Sequence, residues 1–334
     1  MTISLKSSKI SSYSQRNLQM KFLKKSIKEL HYTLVNSLPI PIVNKLPLGA
    51  LNKKGRWSIG IYSGKSPFDL ASSTSAKNPV LTRRDVSDVR AACVADPFMI
   101  KVGLTWFMFF EVLNQSTRRG EIAFATSEDG ASWKYQQIVI AEPFHLSYPY
   151  VFEWKNEYYL IPESHQANSI RLYKASNFPT EWSFVGNLLN DGFFVDSSIF
   201  RYADKWWIFA ETNSHHKHDT LRLYYAEDLL GSWLEHPKSP IVRNNAHIAR
   251  PAGRVLMMND KIFRFTQDCQ PAYGTQVRAF EITELTTTTY QEREIEQNLV
   301  LKPSGSGWNS GGMHHIDPHF IHDEKWIACV DGRG

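Results

Sequence analysis

"DSSIFRYADKWWIFAE", residues 196–211, sets two runs rich in Ile, Phe and Trp, "SSIF" and "WWIFA", on either side of a turn-like "YADK". That is the composition of two strands joined by a tight turn. With pairing symmetric about residues 203 and 204, Asp196 lies opposite Glu211 with Cβ atoms about 5 Å apart. Two unit charges at that separation repel by about 3 kcal/mol at an effective dielectric near 20. The hairpin ends therefore call for a cation, an Arg or a shared proton.

The same hairpin recurs. "DPFMIKVGLTWFMFFE" spans 96–111 and "YPYVFEWKNEYYLIPE" spans 148–163; looser copies are "RPAGRVLMMNDKIFRFTQ" at 250–267 and "DPHFIHDEKWIACVD" at 317–331. The first three are each followed by a strand-like run and a Trp-ended turn, "EIAFATSEDGASW", "SIRLYKASNFPTEW" and "LRLYYAEDLLGSW". Five units of three or four antiparallel strands, with starts 52, 48, 54 and 67 residues apart, indicate an all-β, five-bladed propeller over residues 56–334. The last unit ends after two strands, so residues 56–85, beginning with the strand-like "RWSIGIYSG", are expected to complete its blade.

In a propeller the first strand of each blade lines the central channel, which gathers Asp96, Tyr148, Asp196, Arg250 and Asp317 at one mouth. Glu111, Glu163, Glu211, Gln267 and Asp331 follow behind them. The opening carboxylates then face a funnel rather than a core. Arg254, Arg264, His314 and His315 bring further cationic or titratable groups to the same ring. Repeated residues also serve the blade itself by accepting backbone N–H bonds, and that structural role stays open for Glu111, Glu163 and Glu211.

The 334-residue chain, 42% hydrophobic, is long enough for a large core. Cys93, Cys269 and Cys329 are widely spaced, without the pairing of a disulfide framework or a zinc site, which fits a reducing compartment. No run of 18 apolar residues and no signal-peptide pattern is readable, so the sequence expectation is a cytoplasmic protein. The net charge of +5 hides an asymmetry. Residues 1–56 hold eleven Lys or Arg and one acid, Glu29, leaving 27 basic and 32 acidic residues for the remainder. Leu18, Phe22, Leu23, Ile27 and Leu30 recur among lysines at helical spacing, so residues 1–55 read as a basic arm with an amphipathic helix and a Pro-rich linker. Residues 14–35 are its candidate contact with an anionic membrane surface or a protein.

"ADPF", "VDSSIF" and the period near 50 resemble the propellers of glycoside hydrolase family 43. "WSIGIYSG", "NPVLT", "ADPFMI", "FHLSYPYVFE", "YYLIPES", "RLYKASNFP", "ARPAGR", "QDC" and "YG" more closely resemble the propeller family found as the N-terminal domain of plant glucosamine inositolphosphorylceramide transferases, over residues 57–334. The family 43 resemblance implies an Asp base at Asp96 and a pKa-tuning Asp at Asp196. It also implies a Glu acid where "ARPAGR" places Arg250, and a guanidinium does not donate a proton at neutral pH. Glu163 and Glu211 are the remaining candidate acids. Tyr148, Arg250, Arg254, Arg264, Gln267, His314, His315 and Asp317 are the candidate ligand-binding residues.

The ligand expected is a glycan or an activated sugar, and the Arg forks suit an anionic one. The alternative is a non-catalytic glycan-binding module or scaffold of a glycan-assembly system. No cofactor, nucleic acid or resident metal is expected; a cation in the channel would suit the oxygens near His315 and Asp317. "HHKHD" at 215–219 reads as an exposed loop, and "GSGWNSGG" at 305–312 lacks dinucleotide-loop spacing.

Overall fold

The structure, a computed structural model, describes residues 40, 42, 56–296, 299–322 and 325–334. The basic segment expected at 14–35 lies outside the described residues. Two strands, β1 (Trp57–Ser66) and β2 (Asp69–Ser72), open the fold. Blade one is β3 (Ala91–Val102), β4 (Thr105–Asn114), β5 (Arg119–Ser127) and β6 (Lys134–Ile140). Blade two is β7 (Ser147–Trp154), β8 (Glu157–Glu163), β9 (Ile170–Asn177) and β10 (Glu181–Leu189). Blade three is β11 (Val195–Tyr202), β12 (Lys205–Glu211), β13 (Leu221–Ala226) and β14 (Leu234–Glu235). Blade four is β15 (Arg250–Pro251), β16 (Leu256–Met258), β17 (Lys261–Asp268), β18 (Gln276–Leu285) and β19 (Tyr290–Glu294). Blade five takes β20 (Ile316–His322) and β21 (Lys325–Arg333) from the end of the chain and β1 and β2 from its start, in the order β2-β1-β21-β20. The sheets are antiparallel meanders, and this is a five-bladed propeller.

Closure rests on backbone pairing. β1 runs against β21 from Trp57↔Arg333 to Gly64↔Trp326, so residues far apart in sequence share one ladder and the two ends of the chain close the ring in a single blade. Apolar side chains fill the seams between blades. Phe98 and Phe109 meet Tyr150 and Leu160, and the cluster continues to Ile199 and Trp206. Phe209 packs with Val255 and Ile262 between blades three and four, and Phe265 with Ile316 and Val330 between four and five. Ile59 and Cys329 pack with Met99 and Met108 to complete the circle. Among the described residues no helix is long and apolar enough to cross a membrane.

Local chemistry explains the repeats. The inner hairpins of blades two, three and four turn on Lys155-Asn156, Ala203-Asp204 and Asn259-Asp260, all at positive φ, as two-residue turns matching strand twist require. The Trp133, Trp182 and Trp233 indoles donate to the carbonyls of Gly130, Pro179 and Leu229 at 3.2, 2.9 and 3.2 Å, fastening each outer turn.

The symmetric register expected for residues 196–211 is wrong by one residue. Val195, not Asp196, faces Glu211, and pairing resumes at Ser198↔Phe209 across a bulge. Blades one and two carry the same bulge, with Ala95↔Glu111 then Phe98↔Phe109, and Ser147↔Glu163 then Tyr150↔Ile161. Blade five departs as well, since Asp317 pairs with Cys329 and not with Asp331.

Blades four and five are joined at Gly253, whose backbone bridges Ile316. Its φ is +146° and a Cβ there would lie 1.7 Å from the Ile316 carbonyl oxygen. Gly253→Ala is expected to cost about 3 kcal/mol or more in urea unfolding. Gly186→Ala, where a Cβ meets nothing within 4 Å, is expected to change stability by no more than about 1 kcal/mol.

Candidate functional site

The shared bulge builds the site. At its first residue the backbone enters the left-handed region, with φ of 53° at Asp96, 45° at Tyr148 and 50° at Asp196. Asp tolerates that conformation better than most residues and Tyr poorly, so the strain marks a place where side-chain direction outweighs local comfort. What these residues gain is contact across blades. The Tyr148 amide donates to Asp96 Oδ2 at 3.3 Å, and the Asp96 amide donates to Asp331 Oδ2 at 3.1 Å. The Tyr148 hydroxyl donates to the Gly253 carbonyl at 3.0 Å and lies 2.8 Å from Ser198 Oγ.

Arg250 occupies the middle of the opposite side. Its Nε donates to Asp196 Oδ2 at 2.6 Å, its Nη2 lies 3.6 Å from Glu163 Oε2, and its Nη1 donates to His218 Nδ1 at 2.9 Å. The guanidinium also lies over the Tyr273 ring, 4.9 Å from its centroid. Gln267 Nε2 donates to the same Asp196 oxygen at 2.5 Å and to the Pro251 carbonyl at 2.9 Å. Asp331 holds the His314 ring through Nδ1 at 2.7 Å, and His314 Nε2 stands 3.7 Å from Asp96 Oδ1. Trp57 stacks on that imidazole at 3.8 Å.

Asp96, Glu111, Glu163, Asp196, Glu211 and Asp331 thus form one carboxyl cluster, with Arg250 in contact with Asp196 and Glu163 and within electrostatic reach of Asp96 and Glu211. Five of them are buried, and the Glu111 side chain is 12% exposed. Burial, reinforced by Asp196 and Asp331 against the opposing pull of His314, raises Asp96 to about 8. Burial lifts Asp196 to about 8 despite Arg250 and drives Glu111 well above its ordinary value. Burial also raises Glu211, to about 7. Glu163 goes the other way: burial opposes ionisation, but the His165 hydrogen bond and Arg250 outweigh it and hold the carboxyl at about 2. The ring therefore retains protons at neutral pH on some members while others are ionised.

The other candidates fall in different places. Arg254 and Asp317 lie away from the mouth. Arg254 Nε donates to Asp317 Oδ1 at 2.8 Å and its Nη2 to the Met99 and Val151 carbonyls at 3.2 and 3.1 Å, three positions beyond Asp96 and Tyr148. His319 contacts the same carboxylate at 2.9 Å. Arg264 is turned away, its Nε and Nη2 donating to the Glu292 carboxylate at 2.5 and 2.6 Å. His315 is fully buried with no hydrogen-bond partner on either ring nitrogen. Among the described residues, Asp96, His314 and Asp331 form the group that could hold a metal ion, their ligand atoms lying within 4.8 Å of one another.

Several contributors were not singled out from sequence. In the 215–219 segment His215, His216 and Lys217 are exposed as expected, while His218 is half-buried and bonds Arg250 and Asp219 is buried; the His216 ring lies 6.2 Å from that of His165. His165 Nδ1 contacts Glu163 at 2.6 Å, and His145 Nε2 lies 3.6 Å from Glu111. The proximity of His165 to Glu163 in sequence was a usable signal, and Tyr273 lies in the "YG" motif of the family resemblance, which gave it no stated role.

The sequence profile of the family described as glucosamine inositolphosphorylceramide transferase 1, N-terminal, matches residues 50–333. The chain belongs to this family. It is 36% identical over 301 residues to glucosamine inositolphosphorylceramide transferase 1 of Oryza sativa subsp. japonica, covering 84% of this chain and 40% of the rice protein. The Arabidopsis thaliana protein of the same name is 32% identical over 301 residues, 84% of this chain and 39% of its own. The chain thus spans about two fifths of the length of these relatives. Its fold is shared with the catalytic domain of the Coprinopsis cinerea GH62 alpha-L-arabinofuranosidase, at TM-score 0.54 and 11% identity over 85% of this chain and 98% of the other. An alpha-L-arabinofuranosidase from Podospora anserina matches at 0.53 and 12%, over 84% and 97%.

A pH prediction follows from the raised carboxyls. Asp96 holds its proton more tightly folded than unfolded, so its contribution to stability is present in full below about pH 4 and is lost as pH rises toward about 8. Asp196, Glu111 and Glu211 act in the same direction, and Glu163 acts oppositely only in stronger acid. Burial holds His145, His218 and His315 below their ordinary value, and they oppose this trend up to about pH 6.5, so the thermal unfolding temperature should fall between pH 6.5 and 8. Asp96→Asn should flatten that fall by up to one proton, about 1.4 kcal/mol per pH unit, and melt above the unsubstituted protein at pH 8.

Proposed function

We propose that this domain binds a sugar carrying a protonated amine at the Arg250 mouth, as the recognition unit of an amino-sugar-handling system. The observation that carries the reading is the excess of carboxylates over guanidinium. Within that ring, Glu211 Oε2 is buried without a hydrogen-bond partner, and Glu163 Oε2 is buried with only Arg250 Nη2 facing it, at 3.6 Å and beyond hydrogen-bonding distance. Unmatched acceptors of this kind cost free energy until a donor arrives, and an ammonium supplies three donors and a positive charge. Arg250 is already engaged by Asp196, Glu163 and His218, so the anionic ligand expected from sequence has no free fork to meet. Supporting the reading, the relatives carry glucosamine in their name.

A second reading has acid–base chemistry on the same sugar. It is favoured by Glu211, whose value of about 7 suits a group that gives up and regains a proton near neutrality. Glu163, at about 2, is ionised and unsuited to donate. On this reading Asp96 acts as the base only in the fraction that has lost its proton, since it is raised to about 8, with Asp196 its electrostatic partner and Arg250 in place of the hydrolases' acid. Turnover that Glu211→Gln abolishes while binding persists would favour it over a binding module.

The binding claim is tested by calorimetry with D-glucosamine, N-acetyl-D-glucosamine and D-glucose at pH 7, in buffers of different ionisation enthalpy. Glucosamine should bind at least 10-fold more tightly, about 1.4 kcal/mol, with net proton release as the ammonium displaces protons from raised carboxyls. Glu163→Gln should remove most of that preference. Equal affinity for the three sugars would defeat the amine reading.

A further inference from the structure

The side chains around the carboxylate ring fall into two aromatic groups on different sides of Arg250. The first comes from blades one to three. His145 and His165 have ring centroids 6.3 Å apart, His165 and Phe193 5.2 Å, and Phe193 and His216 5.2 Å. This group touches the ring through Glu111 and Glu163. The second comes from blades three to five: His218 and Tyr273 at 5.3 Å, Tyr273 and His314 at 5.1 Å, and Trp57 stacked on His314. It touches the ring through Arg250, Asp96 and Asp331. The connection after β12 supplies a member to each, His216 to the first and His218 to the second, and both histidines sit at positive φ, 55° and 57°. The backbone accepts that strain while setting two imidazoles, two residues apart, against opposite walls.

Neighbours fix the hydrogen-bonding sense of these imidazoles. The Arg250 N–H donates to His218 Nδ1, so the proton of that ring is on Nε2 and the ring offers a donor. His145 Nδ1 accepts the Gly120 amide at 2.8 Å, which likewise puts its proton on Nε2. His165 is reversed, with Nδ1 donating to the Glu163 carboxylate and Nε2 left over. Such a mixture of donors and leftover nitrogens beside half-buried rings is suited to hydroxyls on the edge of a sugar whose C–H face lies on an aromatic surface.

We propose that the His145–His165–Phe193–His216 group is a second sugar subsite, so that the mouth takes a ligand of at least two rings, one against each wall with the carboxylates between them. This rests on the sugar reading above. A single ring fills one wall and leaves the other hydrated; a second ring adds contact without a second association cost.

The test is calorimetry with D-glucosamine and with α- and β-linked disaccharides of glucosamine, on the full chain and on Phe193→Ala and His216→Asn, neither of which touches a mouth carboxylate. One disaccharide should bind at least 10-fold more tightly than the monosaccharide. Both variants should erase that gain while leaving monosaccharide affinity within about 2-fold, and the monosaccharide serves as the check that each variant is folded. Long-range nitrogen–proton spectra should show His218 protonated on Nε2 and His165 on Nδ1. Equal affinity for one and two rings, or variants that weaken both ligands alike, overturns the second subsite and leaves the sugar reading standing. No binding by any of these sugars overturns both.

Discussion

The bond from Arg250 to Asp196 is the interaction around which the mouth is organised. One guanidinium reaches Asp196 of blade three and Glu163 of blade two from a strand in blade four. Its planar fork meets carboxylates from two directions, which a lysine could not reproduce. Removing the guanidinium would leave the ionised Glu163 buried without its cation, a loss of about 3–5 kcal/mol. The carboxylates that Arg250 does not reach rely on histidines, Asp331 on His314 and Glu111 on His145, or hold protons. The acidic excess is therefore a property of the site and not an accident of one blade.

The fold supplies the convergence. Each seam is apolar, and the closing ladder between β1 and β21 lets five sheets bear on a common axis. The repeated bulge then turns the first inner-strand residue out of simple alternation in blades one, two and three. Blade four uses Gly253 for a comparable purpose. Its carbonyl accepts hydrogen bonds from both Tyr148 and Ser198, drawing blades two, three and four together directly below the mouth. Local backbone cost is exchanged for cross-blade contact at the point where chemistry is concentrated.

Much of this architecture was legible in the sequence because hairpin composition and a period near 50 residues are local signals that repeat. Asp96, Asp196 and Arg250 were placed together on that basis, and they share one cluster. The bulge was not legible. A one-residue register change leaves the apolar pattern intact, and nothing in "DSSIF" declares that Asp196 will adopt φ near +50°. Depth was equally hidden. Arg254 lies four residues after Arg250, between β15 and β16, and Asp317 lies at the start of β20 just after His314 and His315, and a few positions are enough to carry them away from the mouth into a pair of their own. Arg264 shares β17 with Gln267, yet three positions apart on a strand means opposite faces, and it finds Glu292. The histidine-rich 215–219 segment has the composition of a solvated loop, and only the folded chain brings its rings back over the mouth.

The central claim is that the mouth gathers more carboxyl groups than its cations can keep ionised, and that it is therefore poised for a cationic group whose arrival releases the retained protons. Carbon-13 carboxyl NMR of the ligand-free protein through pH 4 to 9, with Asp96→Asn and Glu211→Gln to assign the resonances, tests it most directly. The account predicts at least two mouth carboxyls titrating above pH 6, Asp96 and Glu211 among them. Ordinary titration of every mouth carboxyl below pH 5 would contradict it.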